Sequence, residues 1–142
     1  MGEGREREKL EMIVKQLNIS DNVYFAGLQK NSYKFMARAD VFVLSSMLEG
    51  LPNALVEAII CGVPVVSTDC KSGPNEVIND GKNGFLVPVG DEKALAEAIL
   101  KLLNSRELRE RFSSEARKKV LQQFSFEKTI GGYENIFEQV SK

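Results

Sequence analysis

Two short runs in the middle of the chain, residues 41–44 (VFVL) and 63–66 (VPVV), contain no polar side chain. A strand that is apolar at every position suits a parallel sheet whose two faces are both covered by helices. Helical patterns separate these runs along the chain, and such alternation is typical of βαβ units. The sequence therefore predicts an α/β protein in which a parallel sheet lies between two layers of helices.

Four strands are predicted in total. They lie at residues 23–25, 41–44, 63–66 and 85–87. Turn-forming pairs such as Asp80-Gly81 and Asn83-Gly84 stand between the later ones. With about four strands, the sheet is small, and C-terminal helices complete the predicted domain.

Helical patterns occupy the remaining segments. The predicted helices cover residues 1–18, 32–39, 52–60, 76–78, 91–103 and 105–124, and a last one contains residues 126–140. Asp91, Ser105 and Ser125 are suitable N-caps for the last three. Gly62 stands where a glycine commonly ends a helix.

Composition narrows the possible functions. The chain has 142 residues, a net charge of -1, 43% apolar and 27% charged residues, as in an ordinary globular domain. That balance gives no reason to expect a nucleic-acid partner. The absence of histidine excludes a Ser-His-Asp triad and His-ligated zinc within this chain. The two cysteines, Cys61 and Cys70, do not form a disulfide framework, so we expect a cytoplasmic location.

The stretch EGLPNALVEAIICG carries the most informative pattern. Its helical part is apolar around the whole circumference apart from Glu57, which predicts a helix buried on every side. An unpaired buried carboxylate costs several kcal/mol, so Glu57 needs a partner. A ligand is one possibility, and a structural ion pair or a bond to backbone N–H groups is the alternative.

The start of the same helix predicts an anion site. Pro52 suits the first helical position, which leaves the N–H groups of residues 53–55 pointing out of the helix end. The helix follows a parallel strand, so this end lies at the sheet edge where α/β proteins bind ligands. Glu57 on one side of the anion and Glu49 on the other are suited to bind hydroxyl groups. Together these features describe a site for a nucleoside diphosphate sugar.

These residues resemble a known family. EGLPNALVEAIICGVPVV is similar to the core motif of the retaining glycosyltransferases of the GT-B fold, group 1 family, in which seven residues separate two glutamates. Other segments resemble the family in the same order: GEGRERE, NVYFAG, ADVFVLSSMLEG, STDCKSGPNEVI, DGKNGFLVPVGD and FSFEKTIGGYENIF. The resemblance covers nearly all of the chain. It implies a Rossmann-like, GT-B C-terminal domain that binds a nucleotide sugar.

The resemblance also implies roles for individual residues. Glu49 would be the catalytic residue, binding sugar hydroxyls and stabilising charge on the sugar. Glu57 would bind the ribose hydroxyls, and Gly27 and Leu28 would lie near the base. The donor-binding residues would be Ser46, Gly50, Leu51, Asn53, Ala54, Leu55 and Glu57. No metal and no cofactor besides the donor substrate are expected. Pro52 departs from the glycine of many members, and Ser45 from a common proline.

By resemblance, residues 1–142 form only part of that C-terminal domain. Its first two strands, a basic Arg-Lys pair and the acceptor-binding N-terminal domain would be missing, so we expect the isolated chain to be inactive. The strand at 23–25 is then predicted to pair directly with the strand at 41–44, or strand edges pair in a homodimer. The last helix, near 126–140, normally crosses to the N-terminal domain and is a second candidate for dimer formation.

Two other functions remain open at this point. One is a related GT-B chemistry, such as a nucleotide-sugar epimerase or a phosphorylase. The other is a non-enzymatic α/β module that oligomerises. For a transferase, the expected partners are a nucleotide sugar and an acceptor glycan or lipid-linked glycan. In that case the full-length enzyme would act in the cytoplasm, with the inner face of the membrane as a candidate site.

Overall fold

The structure is a computed structural model that describes residues 4–123. The chain divides into two compact units, Met1–Phe35 and Met36–Lys142. The sheet belongs to the second unit, which also contains the residues from Ser46 to Glu57 that sequence reasoning selected. The predicted last helix, near residues 126–140, lies outside the described residues.

Three parallel strands form the sheet, β1 (Phe42–Leu44), β2 (Val65–Thr68) and β3 (Phe85–Val87), in the order β1-β2-β3. Every residue of the central strand β2 is buried, as the apolar pattern predicted. β2 begins two residues later than predicted and continues to Thr68. Proline has no N–H to give to a sheet ladder, so Pro64 precedes the strand, although its carbonyl accepts a bond from the N–H of Phe42.

Within the described part of the second unit, four helices follow β1: α3 (Asn53–Ile60), α4 (Pro74–Val77), α5 (Glu92–Leu103) and α6 (Arg106–Gln123). Neighbouring residues of β2 point to opposite faces of the sheet. Val65 packs in a cluster with Leu55 and Ile59 of α3, whereas Val66 packs in a second cluster with Leu102 of α5. Helix α6 contributes to both clusters. The sheet therefore has a core on each face, which confirms the three-layer prediction.

Two of the predicted helix caps are present. The Asp91 carboxylate accepts a bond from the N–H of Ala94 at 2.8 Å, and the Ser105 hydroxyl accepts one from the N–H of Leu108 at 3.2 Å. At the end of α3, Gly62 has φ +81°. Residues other than glycine are strained in this backbone conformation. These contacts explain why α3, α5 and α6 begin and end within one or two residues of the predicted positions.

Replacing Asp91 by alanine is expected to destabilise the chain by about 1 kcal/mol, since the N–H of Ala94 then loses its acceptor. Thermal or urea unfolding measures the change. Asp91→Asn is the matched control, because an asparagine oxygen accepts the same bond. Equal stability of the alanine variant and wild type would contradict the prediction.

The first unit contains α1 (Arg7–Gln16), a 3₁₀ turn (Ser20–Asn22) and most of the short helix α2 (Tyr33–Met36). Large apolar side chains in and just after α1 are exposed, with Leu10 at 49% and Leu17 at 61%. None of residues 4–35 is buried. In this unit, the helical pattern predicted the helix correctly, although α1 is shorter than the predicted 1–18.

The strand predicted at residues 23–25 is wrong, and so is its predicted pairing beside residues 41–44. Among the described residues the sheet contains three strands, and residues 23–25 belong to none of them. A strand exists only where a neighbour supplies hydrogen bonds, and this run of three residues has none. The β-branched and aromatic residues of VYF favour an extended backbone. They do not determine whether a neighbouring strand is present to pair with it.

No helix within residues 4–123 combines the length and the apolar character needed to span a membrane.

Candidate functional site

Two loops leave the sheet at the same edge. Residues 45–52, here called the Glu49 loop, join β1 to α3, and residues 69–73, called the Ser72 loop, join β2 to α4. Because β1 and β2 are adjacent and parallel, both loops start at the carboxyl ends of the strands. Ligands of open α/β sheets bind at this edge. The predicted sugar and phosphate residues therefore lie where the fold provides a binding site.

The Glu49 side chain is half-buried and held at one oxygen. The Ser46 hydroxyl donates to its Oε1 at 2.6 Å. Its other carboxylate oxygen, Oε2, has no partner among residues 4–123. Ser46 thus orients Glu49, and its predicted contact with the donor stays a prediction. The arrangement leaves one oxygen of a fixed carboxylate available to a hydroxyl group.

The start of α3 offers a different set of N–H groups from the predicted one. The N–H of Asn53 donates to Leu51 and that of Leu55 donates to Pro52, each at 2.9 Å. These two amides are therefore used within the chain. The N–H groups of Gly50, Leu51 and Ala54 have no acceptor among the described residues.

Pro52 explains this shift. Its ψ of 73° lies outside the helical range, so it is the N-cap of α3 and not the first helical residue. Its carbonyl accepts bonds from the N–H groups of Leu55 and Val56. The free amides consequently include two from the Glu49 loop and one from the first turn of α3. Such a group of unpaired N–H donors at a helix start is suited to bind an anion.

Glu57 is half-buried, so the prediction that α3 is buried on all sides is wrong. Ala54 and Ile60 are exposed, while Leu55, Ala58 and Ile59 are buried in the core. Among residues 4–123, Glu57 has neither an ion pair nor a hydrogen-bond partner. The alternative of a structural pair is therefore not found in the described part of the chain. Glu57 lies three residues after Ala54, so the two residues are neighbours on one face of the helix.

The Ser72 loop packs directly against the Glu49 loop, which the sequence analysis missed. A Cβ atom added to Gly73 would lie 2.1 Å from the carbonyl oxygen of Gly50 and 2.9 Å from Cδ of Pro52. Gly73 also has φ +89°. The Ser72 hydroxyl donates to the carbonyl of Glu49 at 2.7 Å. The Gly73-Pro74 pair in the sequence was the available signal, but it indicated only a turn.

Gly27 and Leu28, the residues predicted to lie near the base, belong to the first unit. Gly27 has φ +62° and Leu28 is 79% exposed. Gly27 also lines a cavity of about 250 Å³ together with Gly4, Arg7 and Phe25. Their role toward a nucleotide base remains a prediction.

The family model for group 1 glycosyl transferases matches residues 1–119. A lipopolysaccharide core biosynthesis glycosyltransferase of Rhizobium meliloti is 38% identical over 94% of this chain and 39% of its own length. The N-acetyl-alpha-D-glucosaminyl L-malate synthase of Bacillus anthracis is 37% identical over 99% of this chain and 36% of its own length.

Solved structures have the same fold. TarM, from S. aureus, superposes with a TM-score of 0.90 at 32% identity, over 96% of this chain and 27% of TarM. Anabaena HepE in complex with UDP superposes with a TM-score of 0.85 at 26% identity, over 99% of this chain and 39% of HepE. The fold is therefore that of a GT-B C-terminal domain.

The chain spans between 32% and 41% of the length of four of the curated relatives that it matches. The family match nevertheless covers more than half of the chain and includes both loops of the candidate site. The chain belongs to the group 1 glycosyl transferase family.

Proposed function

We propose that this chain is the donor-binding part of a retaining glycosyltransferase that moves a glycosyl unit from a nucleotide sugar to an acceptor hydroxyl. The single observation that carries the proposal is the set of free polar groups around the Glu49 loop. Unpaired N–H groups of Gly50, Leu51 and Ala54 lie along the chain between Glu49 and Glu57, two half-buried residues whose carboxylates have free oxygens among the described residues. A diphosphate between two hydroxyl-bearing groups complements that arrangement.

The diphosphate would bind to the unpaired N–H groups. The positive end of the α3 dipole lies behind them and favours an anion there. Glu57 would accept hydrogen bonds from the ribose hydroxyls. Side chains on a helix lean toward its N-terminus, so Glu57 reaches back toward the phosphate site from one turn inside α3. A carboxylate repels phosphate but binds neutral hydroxyls well.

Glu49 would bind the sugar on the other side of the diphosphate. Positive charge develops on the sugar ring as its bond to the leaving group breaks. A carboxylate held in place before the reaction stabilises that charge without having to reorganise. The bond from Ser46 provides such preorganisation. In this proposal no metal takes part in the step, and Gly27 and Leu28 lie near the base.

Relatives support a nucleotide-sugar donor. HepE has been crystallised with UDP-glucose, and TarM with UDP. A Campylobacter jejuni relative, 34% identical, is named as a transferase acting on a diphospho-undecaprenol substrate. We extend this to an acceptor glycan or lipid-linked glycan in the intact protein, in the cytoplasm or at the inner face of the membrane. The isolated chain would bind donor without catalysing transfer.

Titration of the chain with UDP, GDP and UMP by isothermal calorimetry tests the proposal. We expect one of the two diphosphates to bind, because its base and both phosphates find partners. If UDP is the diphosphate that binds, UMP should bind at least about 10-fold more weakly, since it loses charge-assisted bonds to the second phosphate. Absence of binding by both diphosphates, at concentrations up to the millimolar range, would contradict the proposal.

A further inference from the structure

The Glu49 loop is anchored at its end by the buried Pro52, but the residues around Glu49 have little apolar burial. Met47 is 81% exposed, Leu48 is 75% exposed and Leu51 is 55% exposed. Burial of large apolar side chains usually determines loop conformation, and here it is absent from the tip of the loop. Hydrogen bonds and close backbone contacts must therefore fix the position of the carboxylate.

Two hydroxyl groups on the β2 side supply those bonds. The Thr68 hydroxyl, at the end of β2, donates to the carbonyl of Ser46 at 2.5 Å. The Ser72 hydroxyl donates to the carbonyl of Glu49 at 2.7 Å. The two bonds hold the backbone on either side of the exposed residues Met47 and Leu48. Thr68 is only 5% exposed, so its bond is shielded from water.

The same bonds reach the carboxylate. Thr68 holds the backbone of Ser46, and the Ser46 side chain in turn donates to Oε1 of Glu49. Ser72 holds the backbone of Glu49 itself. Both the main chain and the side chain of Glu49 are thus tied to β2 and the loop that follows it. No comparable bond to Glu57 exists among residues 4–123.

We propose that Thr68 and Ser72 are positioning residues for Glu49, and that removal of either hydroxyl lowers affinity for the sugar portion of the donor more than affinity for the nucleotide portion. The proposal rests on the proposed function, in which Glu49 binds the sugar and Glu57 binds the ribose. The difference follows from the contacts. The two hydroxyls hold Glu49 and do not touch Glu57, and of the three N–H groups of the phosphate site only that of Gly50 belongs to a peptide that Ser72 holds.

The experiment compares two ligands on the same variants. UDP and UDP-glucose are titrated into wild type, Ser72→Ala and Thr68→Val by calorimetry; GDP and GDP-mannose replace them if wild type binds GDP. The measured quantity is the ratio of the two affinities, which isolates the contribution of the sugar. Thr68→Ser keeps the hydroxyl and is the conservative rescue variant. Ser114→Ala, at an exposed position of α6, is the control for removing a serine elsewhere.

We expect Ser72→Ala and Thr68→Val to lower affinity for the nucleotide sugar by about 2- to 12-fold, the range for one lost hydrogen bond. Affinity for the nucleotide alone should fall by a smaller factor, so that the ratio of the two affinities drops in both variants. Thr68→Ser and Ser114→Ala should behave as wild type. Melting temperatures of all variants are measured in parallel, because a lower melting temperature with an unchanged affinity ratio indicates a purely structural role and overturns the proposal.

Three further outcomes separate this proposal from the proposed function. If wild type binds neither nucleotide nor nucleotide sugar, the proposed function fails, and this inference fails with it. If wild type binds both ligands equally, the Glu49 loop does not hold the sugar and the inference alone is overturned. If wild type prefers the nucleotide sugar and both variants keep that preference, the hydroxyls do not position Glu49, and the inference again fails alone.

Discussion

Glu57→Ala is expected to weaken nucleotide binding by on the order of 100-fold. In the proposed site the carboxylate accepts bonds from two ribose hydroxyls, and hydrogen bonds to a charged group contribute about 1.5–3 kcal/mol each. A loss of about 3 kcal/mol, the lower end of the range for two such bonds, corresponds to a factor of somewhat more than 100. Calorimetric titration with the diphosphate that wild type binds measures the change.

Stability should respond in the opposite sense. Glu57 is half-buried and has no partner among the described residues, so its removal costs the fold nothing that the structure shows. We expect the melting temperature of Glu57→Ala to equal or exceed that of wild type. A residue that lowers stability but improves binding is characteristic of a functional site.

Glu97→Ala is the matched control for charge. Glu97 is an exposed glutamate on α5 with no ion pair in the described part of the chain. Its removal changes net charge equally but should leave nucleotide affinity unchanged. Unaltered binding by Glu57→Ala would exclude the ribose role. Equal loss in both variants would indicate a general electrostatic effect on the anion.

Gly73→Ala should produce the largest loss of stability, about 2–6 kcal/mol. Two costs add: an alanine at φ +89° and ψ −71°, a sparsely populated backbone conformation, costs about 1–3 kcal/mol, and an overpacked site costs about 1–3 kcal/mol. The second cost arises because the new Cβ would lie 2.1 Å from the carbonyl oxygen of Gly50. That contact must be relieved by moving the Glu49 loop, so donor affinity should fall as well.

Gly90→Ala separates the two costs. Gly90 has φ +80°, close to that of Gly73, but a Cβ there meets no atom within 4 Å. Both variants therefore place an alanine at a positive φ, and only Gly73→Ala also creates the collision. Urea unfolding should show Gly73→Ala to be less stable than Gly90→Ala by about 1–3 kcal/mol. Equal stability of the two variants would show that the loops do not pack as described.

Local signals predicted much of the second unit. The strand at Phe85–Val87 was predicted at its observed bounds, and α5 was predicted within one residue. In both cases residues next to the element in sequence mark where it begins. Glycine-containing turns precede the strand, and Asp91 caps the helix. Such signals depend on neighbours in sequence, so sequence reasoning can find them.

Predictions that needed a partner in space were less successful. Residues 23–25 have suitable composition for a strand, but no neighbouring strand pairs with them. The apolar circumference of α3 predicted burial on all sides, yet Ile60 is 45% exposed. Composition indicates which secondary structure a segment prefers. Strand pairing and burial depend in addition on which other elements of the fold lie beside that segment.

For the candidate site, the sequence by itself determined its residue types and its place. A spacing of eight positions between Glu49 and Glu57, with a proline at the helix start between them, was sufficient to predict an anion site flanked by two acids. This prediction was possible because the helix start, the helix dipole and the direction of the side chains all depend on neighbours in the chain.

Only the tertiary structure decided which groups are free and what holds them. Local bonds occupy the N–H groups of Asn53 and Leu55, which leaves those of Gly50, Leu51 and Ala54. Thr68, Ser72 and Gly73 contact the Glu49 loop from more than twenty positions along the chain. The parallel pairing of β1 and β2 brings these residues to one edge of the sheet, and no periodicity within either segment specifies that contact.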